Sequence, residues 1–120
     1  MMRWRNGPLL ISLTAIPACA SPYLPERVAD LVGVVVRAGP ELTSAAGPNE
    51  YQIHVKVDPE EECGDVFTVD SNTTVVDARG TQRVADRSIL TIGATVAVWF
   101  EVVGLSCPGK GRAEAVERRE

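Results

Sequence analysis

Beyond residue 30 the chain alternates between short β-branched runs and clusters of glycine, proline and aspartate, the pattern of strands joined by turns. Residues 31–37 (LVGVVVR) read as a buried strand, with Gly33 marking a bend or bulge. Gly39-Pro40 and Gly47-Pro48 make residues 38–50 a loop. The clearest period of two covers residues 51–57, where Tyr51, Ile53, Val55 and Val57 share one face and Gln52, His54 and Lys56 the other. Residues 65–70 (DVFTVD) begin a third strand that residues 74–76 continue. Between them, Asp70-Ser71-Asn72-Thr73 reads as a turn capped by its own side chains. Asp77-Ala78-Arg79-Gly80 predicts a turn with its glycine at positive φ. Residues 84–90 (VADRSIL) are the one stretch read as helix, one or two turns long and stopped by Gly93. A strong strand over residues 95–103 follows, with Val96, Val98, Phe100 and Val102 facing inward. Pro108, Gly109 and Gly111 predict a turn, and residues 112–117 a last short strand. Five strands with one short helix between the third and fourth predict an all-β fold. That order suits a small OB-like barrel over residues 30–117, with a small open sandwich as the alternative.

The N-terminal end follows another pattern. Arg3 and Arg5 precede an apolar stretch from Pro8 to Ala18, about eleven residues, where a spanning helix needs roughly 20. Pro17 also interrupts any continuous helix. A basic start, a short apolar core and small residues at its end describe an export signal over residues 1–18, against a buried N-terminal helix as the bland reading. Ile16-Pro17-Ala18 runs into Cys19, which predicts cleavage before a lipidated cysteine; Ala18-Cys19-Ala20 is the competing site for ordinary cleavage after Ala20. Residues 19–29 then read as a tether, and residues 118–120 as a frayed tail. The expected address is extracytoplasmic, anchored to a membrane through lipid.

Composition narrows the classes. The chain carries 12 basic and 16 acidic residues; losing Arg3 and Arg5 with the leader leaves 10 against 16, a net charge of −6. Such a surface repels phosphate backbones, which argues against nucleic acid as a partner. Of three cysteines, Cys63 and Cys107 remain once Cys19 is lipidated or removed, and in an exported protein they read as a disulfide. A metal site using both thiolates with His54 is the alternative, though no C-x-x-C spacing supports it.

The run L-T-I-G-A-T-V-A-V-W-F from Leu90, the S-C-P-G-K-G-R-A run from Ser106 and the D-A-R-G-T turn resemble a family of short exported bacterial lipoproteins with an OB-like barrel. The matching positions are Gly80, Leu90, Gly93, Val96, Val98, Trp99, Phe100, Ser106, Pro108, Gly111 and Ala113. The likeness covers residues 31–117 and implies a fold without implying an activity.

Few residues offer chemistry. His54, the only histidine, lies on the polar face of its strand and reads as solvated. No nucleophile motif such as G-x-S-x-G accompanies it, so no catalytic residue and no enzyme is expected. Asp58, Glu60, Glu61, Glu62 and Asp65 could attract calcium, but they lack the order of an ion-binding loop and read as solvated. No metal and no cofactor is expected. Trp99, if its neighbours face the core, points outward with Ala97 and Glu101, either as a stacking platform or packed under the loop at residues 38–50. Trp99, Glu101 and His54 are therefore the candidate binding residues. The expected function is an envelope-anchored binding module for a small ligand or an envelope protein, with an accessory subunit of a larger assembly or a secreted soluble domain as alternatives.

Overall fold

The computed structural model describes residues 24–40, 42 and 50–120. The expected leader, Cys19 and most of the loop at residues 38–50 lie outside the described residues. Among the described residues seven strands form in chain order: β1 Leu31–Pro40, β2 Tyr51–Lys56, β3 Asp65–Val69, β4 Thr74–Asp77, β5 Arg83–Val84, β6 Thr95–Gly104 and β7 Gly109–Arg118. β1 pairs antiparallel with β2 and with β6, β2 with β3, and β6 with β7. A parallel pairing of β3 with β7 closes the ring, so five strands (β1, β2, β3, β7 and β6) make a closed barrel, as expected. Closure removes the free edges that an open sheet of this size would present.

The inward faces supply the core. Val35, Ile53, Phe67, Leu90, Val98 and Val116 are almost fully buried in one cluster, and Phe100 packs on it with its ring 5.1 Å from that of Phe67. Each such side chain contributes about 1.5–3 kcal/mol of transfer free energy. Val57 and Val102 do not join this core; they stand 60% and 72% exposed. Val57 lies one residue past the end of β2, and β6 shifts register between Phe100 and Val103, which turns Val102 outward. β-Bulges re-aim side chains in this way.

β3 and β4 both run parallel to β7, pairing with its first and second halves in turn. The expected continuation of the third strand thus holds, with the turn at residues 70–73 between. Thr73 N bonds Asp70 O at 3.0 Å, Asn72 N bonds Asp70 Oδ1 at 2.8 Å, and Thr73 Oγ1 donates to Ala113 O at 2.7 Å, which fastens the turn to β7. Gly80 has φ 81°, as its turn requires.

Three expectations are corrected. The helix at residues 84–90 is absent: Arg83–Val84 is β5, and only a 3-10 turn at Arg87–Ile89 follows, with Asp86 accepting from Ser88 N. A segment this short cannot offset helix nucleation. The last strand is longer than expected, because Gly109 and Gly111 lie inside β7. A Cβ at Gly109 would strike the Asp65 carboxylate, and one at Gly111 would come 2.7 Å from Val102 O, so the close approach of neighbouring strands requires glycine here. The tail is pinned, with Arg119 N bonding Thr95 O at 2.8 Å and Arg118 reaching Ile89 O at 2.7 Å.

Candidate functional site: a strap over Trp99 and a cleft beside Arg87

Trp99 does occupy the face of β6 opposite the main core, but it is only 4% exposed. With Ala97 and Ala115 it forms a second apolar cluster, covered by Leu24 and Ala29. Residues 24–30 are therefore a strap fastened to β6 and β7, which corrects the tether expected there. Trp99 Nε1 donates to Arg27 O at 2.8 Å. The Arg27 guanidinium bridges Asp30 at 2.6 Å and Glu114 at 2.7 Å. Asp30 also accepts from Phe100 N at 2.9 Å, while its own N donates to Val98 O at 3.0 Å. The Arg27 hydrogen bond, then that from Phe100 N, holds the Asp30 carboxyl below its ordinary range. With its ring buried and its N–H engaged, Trp99 offers no free stacking surface, and Glu101 stands exposed apart from it, beyond a register shift.

His54 is also corrected: it is buried, 8% exposed, beneath the loop that enters β3. Its Nε2 donates to Cys63 O at 2.6 Å, which fixes the tautomer and leaves Nδ1 buried without a hydrogen-bond partner. At Gly64 the loop presses on β2, since a Cβ there would lie 2.7 Å from Val55 O and 3.0 Å from Nε2. Gln52, on the same face of β2, is buried as well. Cys63 and Cys107 form the predicted disulfide, joining the segments that lead into β3 and β7 where those strands begin their parallel pairing. Both sulfurs are consumed, which disposes of the thiolate metal alternative. Asp65 sits close by, its carboxyl pushed up by burial and by Glu61, with His54 opposing. The acidic loop caps itself: Val57 N donates to Glu61 Oε1 and Glu60 N to Asp58 Oδ1, each at 2.9 Å. β1 separates His54 on β2 from Trp99 on β6, so the structure does not bring the candidate binding residues together.

A different place is concave. Between the turn at residues 70–73 and residues 85–87 lies a cleft of about 460 Å³, within the range of small-ligand sites. Asp70, Thr73, Asp86 and Arg87 line it together with Val69 and Val75, which are almost fully buried. Both carboxylates are engaged. Asp70 takes two bonds from Arg112, at 2.6 and 3.1 Å, and Asp86 accepts from Ser88 N at 2.8 Å. These bonds hold both below the usual carboxylate range. Arg87 has no ion-pair partner among the described residues. Its guanidinium carbon sits 5.2 Å from the centroid of the Tyr51 ring, a cation–π placement that leaves edge N–H donors free. Tyr51 is itself fixed by its hydroxyl donating to Leu90 O at 3.2 Å. No signal in the sequence marks this cleft, because Arg87 and the Asp70 turn become neighbours through the two-residue strand β5, which pairs with β4. No family model, curated protein or solved structure matches the chain.

Proposed function

We propose that the chain is exported, anchored by lipid at Cys19, and works through its barrel as a non-enzymatic binding module whose ligand site is the cleft beside Arg87. Export is supported by the leader pattern and by a disulfide, a bond that persists in oxidising compartments. The binding half is carried by one observation: a guanidinium that makes no ion pair among the described residues, with Asp86 as its charged neighbour, at the edge of a cleft that Val69 and Val75 also line. That combination suits a small organic carboxylate, whose two oxygens match the guanidinium fork. His54 is taken as structural, since its Nε2 is committed to a backbone carbonyl.

Benzoate is the probe. Titrated into the full chain carrying Cys19→Ser, exported and oxidised, it should shift the amide resonances of residues 69–75 and 85–87. Arg87→Gln should weaken binding at least about tenfold, the worth of one charge-assisted hydrogen bond. Benzamide binding as well as benzoate, or shifts confined elsewhere, would overturn the assignment. Exposed Val102 and Leu105 on the β6–β7 hairpin favour a second reading, an accessory subunit of an envelope assembly. A stoichiometric partner co-purifying in mild detergent would support it.

A further inference from the structure

The strap changes what an anchor at Cys19 does. A tether over residues 19–29 would let the barrel swing freely. Instead the chain is fixed to β6 and β7 from Leu24 onward, and Cys19 stands only five residues before it. Each extended residue spans at most about 3.3–3.6 Å, so a lipidated Cys19 lies within about 18 Å of Leu24. Acyl chains place that cysteine at the headgroup level, which sets the standoff of the whole domain. The face nearest the anchor is the outer side of β6, β7 and the start of β1. Arg27 on this face is shared between Asp30 and Glu114, which leaves the trio one negative charge in excess. Val28, 88% exposed on the strap, and Val32, 41% exposed and paired with Ala97, turn apolar side chains outward on it.

We propose that this strap-bearing face lies against the lipid surface, the barrel being seated directly on the headgroups by a leash of five residues. The inference rests on the anchoring half of the proposed function. It fixes an orientation, and it confines any partner to the membrane-proximal layer.

Trp99 supplies the test. The sequence holds only two tryptophans, and Trp4 leaves with the leader, so Trp99 is the sole donor of the mature protein. The full chain, processed in a lipidating host, is placed in phosphatidylethanolamine–phosphatidylglycerol vesicles doped with a dansyl-headgroup lipid. Energy transfer from Trp99 should be strong. It should fall several-fold when a 20-residue Gly-Ser segment, of about 25 Å mean span, is inserted between Tyr23 and Leu24. Circular dichroism checks that the insertion leaves the barrel folded. Weak transfer from the lipidated native chain, or equal transfer from both chains, overturns the leash alone. A mature chain with no diacylglyceryl adduct at Cys19 by mass spectrometry overturns the anchoring reading and the leash with it.

Discussion

Trp99→Ala tests whether the strap is part of the folded domain. The ring is 4% exposed between Ala97, Ala115, Leu24 and Ala29, and its N–H satisfies Arg27 O. Truncating a buried aromatic to alanine costs about 3–5 kcal/mol for the lost transfer energy and the cavity. The Arg27 carbonyl, deprived of its donor, adds about 1 kcal/mol where water does not replace it. Set against about 5–15 kcal/mol for a whole domain, that is a large fraction. With a urea slope of about 2 kcal/mol/M, the midpoint should drop by roughly 2 M. Far-UV circular dichroism is the right probe, because the variant lacks the native fluorophore. Trp99→Phe keeps most of the packing and should cost far less, near the value of the hydrogen bond. Limited proteolysis should cut the Trp99→Ala strap at Arg27 well before the barrel. If Trp99→Ala unfolds less than about 1 kcal/mol more easily and Arg27 stays protected, the strap is held by something other than this ring and the reasoning fails.

Opening the Cys63–Cys107 bridge, whose ends are separated by 44 positions in sequence, should cost about 4 kcal/mol by loop entropy; a double serine variant whose urea midpoint is unmoved would show that the β3–β7 seam closes without it. Asp77, held by Arg79 and Arg83, has its carboxyl lowered to about 2. A lowered folded value means stability present above the ordinary carboxylate range and lost as pH falls from about 4 toward 2. Asp77→Asn should flatten that part of the melting-temperature profile, and an unchanged slope would assign the acid sensitivity elsewhere. Gly109→Ala should destabilise by about 1–3 kcal/mol through overpacking, since the new methyl meets the Asp65 carboxylate and Val103; a neutral result in thermal melts would mean that the β3–β7 pair can spread.

Strand positions were largely legible because the barrel's inner face enforces a period of two: Ile53 and Val55 on β2, and Val96 and Val98 on β6, fall where alternation puts them. The turns at residues 70–73 and 77–80 were legible too, since they depend on local side-chain bonds and on one positive φ. The closing pair β3–β7 was not, because parallel pairing between residues some 40 apart leaves no local trace. Nor was the cleft, whose two walls are brought together by the two-residue strand β5 pairing with β4, a strand too short to leave a period. The helix was misread because Asp86 and Ser88 fit a helical start as well as they fit the single 3-10 turn that forms.

His54, expected in solvent, and Trp99, expected either as a platform or packed under a loop, are both covered for one reason. Alternation assigns a side to each residue, and the polar side of a barrel strand is then equated with solvent. Both residues do sit on outer faces, yet each lies beneath a second layer: His54 under residues 63 and 64, Trp99 under residues 24–29. Each layer is itself tied to the seam it covers, the first by the disulfide to Cys107, two residues before β7, and the second by Arg27 to Glu114 on β7. β7 is thus the strand on which the parallel closure, the crosslink and the strap converge. A single strand bearing three constraints should be the last to open, so its amides should exchange with solvent more slowly than those of β1. That order follows because β1 is held by backbone pairing to β2 and β6 without any crosslink. Faster exchange in β7 than in β1 would break the link drawn here between the strap, the bridge and the closed ring.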